Sequence, residues 1–314
     1  ATAAEPCPGV ATGPTYFSRT TDGGRTWSSP RAIVPTAVNE QTIGNLIVAD
    51  RQTGVLYNFF NLIDASGADN IEMVYSTNHG ATWSDRQYVQ RLFTTAETRP
   101  LPDCSCGVIY PRDASRPLRT GDIIPAAAID PNTGQLYVIW QDGRPNGFQN
   151  DMLLASTSTA GGLAGTWSEP RLVNPPSDKS AFTAAIAVNT RGQVGVTYYD
   201  LTPRLTSRDV LLTDTWFSAT AGPGLDFGAR RLIGGPFNME AAPNAGVCFT
   251  GDYQGLAAQV PAPNGGDQQN GPDDSGAGFV ALTILTNCTD NRCSARGSLD
   301  GTPIGPDSTD AFSG

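Results

Sequence analysis

The sequence predicts an all-β protein: a β-propeller assembled from four-stranded antiparallel blades. A repeated Trp-linked run is the first observation. Trp27-Ser28-Ser29-Pro30-Arg31-Ala32-Ile33 returns as Trp83-Ser84-Asp85-Arg86-Gln87-Tyr88-Val89, as Trp167-Ser168-Glu169-Pro170-Arg171-Leu172-Val173, and in worn form as Phe227-Gly228-Ala229-Arg230-Arg231-Leu232-Ile233. Self-similarity at about fifty to sixty residues marks stacked supersecondary units. The second observation is a pair of short apolar runs, joined through a glycine, before three of these copies. The third is composition: 35 Gly and 24 Pro, with charged residues at only 16%. That suits short strands and tight turns and starves helices, whose interiors reject Gly and Pro.

The chain opens on a third strand, Tyr16 to Arg19, followed by the turn Thr20-Thr21-Asp22-Gly23-Gly24-Arg25-Thr26-Trp27. Ser76-Thr77-Asn78-His79-Gly80-Ala81-Thr82-Trp83 shares its spacing, S/T-x-D/N-x-G-x-x-W. In such a turn the Asp or Asn side chain accepts from backbone N–H groups, Gly supplies a positive φ, and the Trp covers the neighbouring sheet. Ser156 to Trp167 is an expanded copy. The lone His79 reads as a solvated turn residue. The hairpins turn through Gly54, Gly134 and Gly192, and their continuous apolar runs read as buried strands.

Each unit is therefore buried strand, turn, buried strand, long loop, strand, Asp-type turn, strand, and radial repetition gives a propeller. Residues 94–120 form an inserted loop, 261–278 a low-complexity excursion, and 288–314 a C-terminal strand and tail. The whole of 1–314 reads as one domain. Two closures stay open: the N-terminal strands complete the C-terminal blade, giving four or five blades, or the chain follows a six-bladed pattern without its first blades.

A net charge of −10 argues against a phosphate-backbone partner, and no apolar run is long enough to span a bilayer. Cys7, Cys104, Cys106, Cys248, Cys288 and Cys293 permit three disulfides, with Cys288–Cys293 the easiest local closure and the pairing otherwise open. With one His and no CxxC pair, metal binding by these cysteines is a poor fit, and the expectation is a secreted protein whose first residues follow a cleaved leader. Asp273 and Asp274 suit calcium in chemistry but lack regular ligand spacing. No other cofactor is expected.

The S-x-D-x-G-x-x-W turn resembles the Asp box, and most of the chain resembles the BNR-repeat, sialidase-like propellers of secreted bacterial proteins. Further support comes from Arg119-Thr120-Gly121-Asp122-Ile123-Ile124-Pro125, Trp140-Gln141-Asp142-Gly143-Arg144, Val196-Thr197-Tyr198-Tyr199-Asp200 and Gly251-Asp252-Tyr253-Gln254-Gly255-Leu256-Ala257. The resemblance implies a glycosidase with a Tyr nucleophile, a Glu that activates it, an Asp acid/base and three Arg clamping a sugar carboxylate. The Arg-Ile-Pro signature that supplies the first clamp residue in the family is absent.

In this unit the Asp-type turns share an end with the strand-one-to-two turns, so chemistry belongs to the opposite, loop-bearing end. There the candidate catalytic residues are Asp122, Tyr199, Glu240 and Tyr253. The candidate substrate contacts are Arg119, Asp142, Arg144, Asp200, Arg204 and Asp252. An alternative assigns the same Asp–Arg pairs to holding blades in register. Three functions compete: an exo-glycosidase acting on terminal acidic sugars, a non-catalytic propeller binding glycan or protein, and one subunit of a larger extracellular assembly.

Overall fold

The structure, a computed structural model, describes residues 12–95, 108–109, 118–148, 152–158, 166–175, 180–201, 212–239, 242, 249–258, 278–285 and 310–313. Three complete four-stranded antiparallel blades stand in chain order. The first holds β3 (Gln41–Ala49), β4 (Leu56–Ile63), β5 (Asp69–Ser76) and β6 (Gln87–Arg91). The second holds β9 (Ala126–Ile129), β10 (Leu136–Asp142), β11 (Met152–Thr157) and β12 (Arg171–Leu172). The third holds β13 (Ala181–Val188), β14 (Val194–Leu201), β15 (Leu212–Ala219) and β16 (Arg231–Asn238).

Before them lies a two-stranded ribbon, β1 (Thr15–Phe17) with β2 (Arg31–Val34), and after them a three-stranded sheet, β17 (Gly255–Ala258), β18 (Phe279–Leu285) and β19 (Asp310–Ser313). The inserted segment carries its own ribbon, β7 (Val108–Ile109) with β8 (Leu118–Arg119). The inner strands β3, β9, β13 and β17 pack each against the next, which is the radial order of a propeller. Among the described residues no strand is shared between the two ends: the second edge of β18 pairs with β19, and β1–β2 is a separate ribbon.

The packing explains why second strands are apolar throughout. Counting from the turn glycine, odd positions of β4 (Tyr57, Phe59) face the second blade and meet Leu136, Val138 and Trp140. Even positions (Phe60, Leu62) face backward and meet Ile33 and Val34 of the N-terminal ribbon. The scheme repeats one blade on, where Tyr137 and Ile139 meet Val194, Val196 and Tyr198. Each such side chain, fully buried, contributes about 1.5–3 kcal/mol, so both faces of the second strands β4, β10 and β14 work as core.

The Trp-linked turns lock these joints. In the first turn the Asp22 carboxylate accepts from the Thr26 N–H at 2.9 Å and the Thr26 hydroxyl at 2.6 Å, while Gly24 N–H donates to the Thr20 hydroxyl. Asn78 and Ser76 repeat this with Thr82 and Gly80. Each aromatic then leans on the preceding unit: Trp83 sits edge-on to Phe17 at 5.2 Å, Trp167 edge-on to Phe59 at 5.9 Å, and Phe227 packs on the joint between second and third blades.

The strand-one-to-two turns lie at the same end, since a Cβ added to Gly54 would fall 2.8 Å from the His79 ring. They also form a relay. Gln52 donates to the carbonyls of Pro131 and Asn132, and Asn132 donates to that of Thr190. Arg19 and Arg31 of the ribbon donate to the carbonyls of His79 and Gly80, so Arg31 points to this end, as its place in the Trp-linked strand predicts.

Candidate functional site

The opposite end is organised by the starts of the inner strands. Each start carries a residue of positive φ within or just before the strand: Gly44 (φ 67°), Gly121 (φ 62°), Thr183 (φ 49°) and Gly251 (φ 115°). Gly44 and Thr183 sit inside matching register shifts of β3 and β13. Thr is β-branched and pays a steric cost there that glycine does not. Its neighbours hold it: the Gln141 side-chain Oε1 accepts from Thr183 N–H at 3.0 Å, and the Thr183 hydroxyl donates to the Thr120 backbone carbonyl at 2.9 Å. Gln141 also donates to the Thr120 hydroxyl, so one buried network joins the starts of β9 and β13 to the end of β10. In the sequence, the polar pair Gln141–Asp142 closing the apolar run of β10 is the signal that points to this network.

Arg119, Asp122, Asp252 and Tyr253 are brought together here. The Arg119 guanidinium lies 4.5 Å from the centre of the Phe249 ring. Asp252 rests on the backbone of Gly121, so near that an added Cβ would fall 2.9 Å from Oδ1. That close approach, with the positive φ, explains the glycine. Asp122 is fully buried and accepts from the Thr94 hydroxyl at 2.5 Å. Tyr253 stands out from this floor at 65% exposure. Partial burial, and then the Asp252 charge, raise its phenol above the usual value.

Asp142, Arg144, Tyr199 and Asp200 face the joints between blades. The Asp142 carboxylate, buried, accepts from Arg144 Nε at 2.8 Å, Arg144 Nη2 at 2.5 Å and the Trp140 indole at 3.0 Å. The same Arg144 donates to the Arg91 carbonyl, and both guanidiniums lie over the Phe93 ring. One blade on, Asp200 accepts from the Trp216 indole and from Arg230, which lies 3.8 Å from the Trp216 ring centre. Burial raises the Asp200 carboxyl, with Arg230 and Trp216 opposing the rise.

Tyr199 is buried, and its hydroxyl binds the Ile284 backbone of the last sheet. Burial pushes its phenol up to about 12. A nucleophilic phenol needs access and a lowered pKa, so this is the setting of a blade-to-blade staple. Arg144 and Tyr199 thus bond to neighbouring sheets, whereas the partners of Asp200 lie within its own blade. Glu240, Arg204, the six cysteines, Asp273 and Asp274 lie outside the described residues. Among the described residues no group of three or more His, Cys, Asp and Glu could hold a metal ion. No described helix is long and apolar enough to cross a membrane.

No family model and no curated protein matches the chain. Among solved structures it is similar to the Hadza microbial sialidase Hz136, at 15% identity over 80% of this chain and 42% of that one, with a TM-score of 0.43. It is similar to NanB sialidase from Streptococcus pneumoniae, at 11% identity over 87% of this chain and 32% of that one, TM-score 0.43. An alpha-L-arabinanase of Penicillium chrysogenum follows at 12% identity over 86% and 67% of the two chains, TM-score 0.46. The chain thus spans well under half the length of the two sialidases.

Proposed function

We propose that this chain is a secreted, sialidase-like propeller of the Asp-box type that holds an acidic sugar at the centre of its loop-bearing end. The observation that carries the reading is the exposed Tyr253 ring next to Asp252, whose carboxylate rests on Gly121, two residues along the chain from Arg119. Exposed aromatic rings offer sugars an apolar platform, carboxylates accept from their hydroxyls, and guanidinium matches a sugar carboxylate. The reading requires no cofactor.

A second reading, hydrolysis of a terminal acidic sugar, is favoured by one observation: Asp252–Tyr253 is a phenol–carboxylate pair open to solvent. Its raised phenol pKa weakens that reading for the pair as it stands. Two measurements decide. Calorimetric titration with 3′-sialyllactose is expected to show binding that Tyr253→Ala abolishes while circular dichroism is unchanged. Absence of binding to the intact chain overturns the site. Release of fluorophore from a 4-methylumbelliferyl sialoside would establish hydrolysis.

A further inference from the structure

Two joints inside the chain, first blade to second and second to third, have the same two halves. One half is the forward face of a second strand: Tyr57 and Phe59 on β4, Tyr137 and Ile139 on β10. The other is the aromatic of the following Trp-linked turn, Trp167 for the first of these joints and Phe227 for the second. Both halves occur once more without a described partner in the structure. Trp27 is 63% exposed and Tyr16, on β1 of the same ribbon, 64%, whereas Trp83, Trp167 and Phe227 are half-buried.

At the other end of the sheet series, β18 has two distinct faces. Phe279 points back into the third blade, 5.3 Å from the Phe217 ring and against Gly195. Val280 and Leu282 therefore alternate to the forward face, where they are 50% and 49% exposed. They occupy the same forward side as Tyr57 and Phe59 of β4.

We propose that these two faces join between molecules: the Trp27–Tyr16 face of one copy seats on the Val280–Leu282 face of a second copy, head to tail. The chemistry is that of the interior joints, an indole laid on a second-strand apolar row. The halves differ, so the contact is heterologous, and a pair of molecules keeps one free half of each kind, one on each copy. Exposed aromatic and aliphatic side chains clustered at an open sheet face are the usual mark of such a contact.

The asymmetry supplies the test. Trp27→Asp disables one half and Leu282→Asp the other, and both positions are exposed enough for an aspartate to be hydrated. Sedimentation velocity over a concentration series is expected to show self-association of the intact chain. Each variant alone should be monomeric, and an equimolar mixture of the two should recover a dimer, because each supplies the half the other lacks. Recovery also shows that both variants are folded. An intact chain that stays monomeric at every concentration overturns the proposal. So does association that survives Leu282→Asp, since Trp27 would then be meeting some other surface.

Discussion

The Tyr199 hydroxyl is held by both backbone groups of Ile284: it accepts from the N–H at 3.0 Å and donates to the carbonyl at 2.6 Å. One side chain of the third blade thereby satisfies a residue of β18 as a neighbouring strand would. The ring is fixed between Phe182 and Phe237, each 5.7 Å away centre to centre.

Tyr199→Phe keeps the ring and leaves two buried backbone groups unpaired, so it should cost about 1–3 kcal/mol. The denaturation midpoint should fall without a change in m-value, and hydrogen exchange should rise first in β18. The same residue predicts an alkaline limit. Its folded pKa of about 12 exceeds the ordinary 10.0, so the unfolded chain ionises first. Its share of stability is intact below pH 10 and is lost as pH rises toward 12. Alkaline unfolding of the intact chain should be steeper across that window than that of Tyr199→Phe.

Asp22 gives the opposite sign. Hydrogen bonds, from Thr26 first and then Thr20, lower its carboxyl to about 2 from 3.8. The stabilisation is present above pH 3.8 and is lost as pH falls toward 2. The first turn should therefore loosen in that range, and Asp22→Asn should flatten the transition. Carboxyl chemical shifts followed by NMR would place the titration.

Asp142→Ala leaves the Trp140 indole and the Arg144 guanidinium without their shared acceptor. The expected cost is about 3 kcal/mol, the lower part of the range for breaking a buried pair, because Arg144 is partly hydrated. Its signature is lost stability rather than lost ligand contacts: 3′-sialyllactose affinity, measured below the unfolding transition, should be unchanged.

Phe59→Ala removes a fully buried ring from the first interior joint and should cost about 3–5 kcal/mol. A double-mutant cycle with Trp167→Ala should return a coupling of about 0.5–1.5 kcal/mol for the edge-on pair. Additivity of the two substitutions would show that the turn aromatic does not lock the joint.

Gly44→Ala should destabilise by about 1 kcal/mol or more, since φ is positive and the new methyl would fall 3.0 Å from Ile124 Cγ2. Thr183→Gly relieves the corresponding strain in β13 but forfeits the bond to Thr120, so its effect should be smaller.

The blades were legible because their signals are local. Apolar runs, turn glycines and Trp offsets each report on a few neighbouring residues, and the four strands of each unit fall where those signals lie. The direction of polar residues at strand ends was less legible, because a strand buried on both faces shows no alternation from which to read a face. Parity from the turn glycine would have resolved it. Asp142 and Asp200 both stand eight residues beyond Gly134 and Gly192, on the backward face with Trp140 and Tyr198. Tyr199 stands seven beyond, on the forward face, and meets the next sheet. The network of Thr120, Gln141 and Thr183 depends on contacts between residues up to 63 positions apart, and no local pattern announces those.

The relay from Gln52 to the second turn, and from Asn132 to the third, sets the angular step between neighbours at one rim. Side chains of one turn grip main-chain carbonyls of the next, so the step depends little on which residues follow in that turn. The far rim adds its own ties between neighbours, through Arg144 to the Arg91 carbonyl and Tyr199 to the Ile284 backbone. Between those fixed points its loops can lengthen, as after β6, while both rims keep the pitch of the wheel.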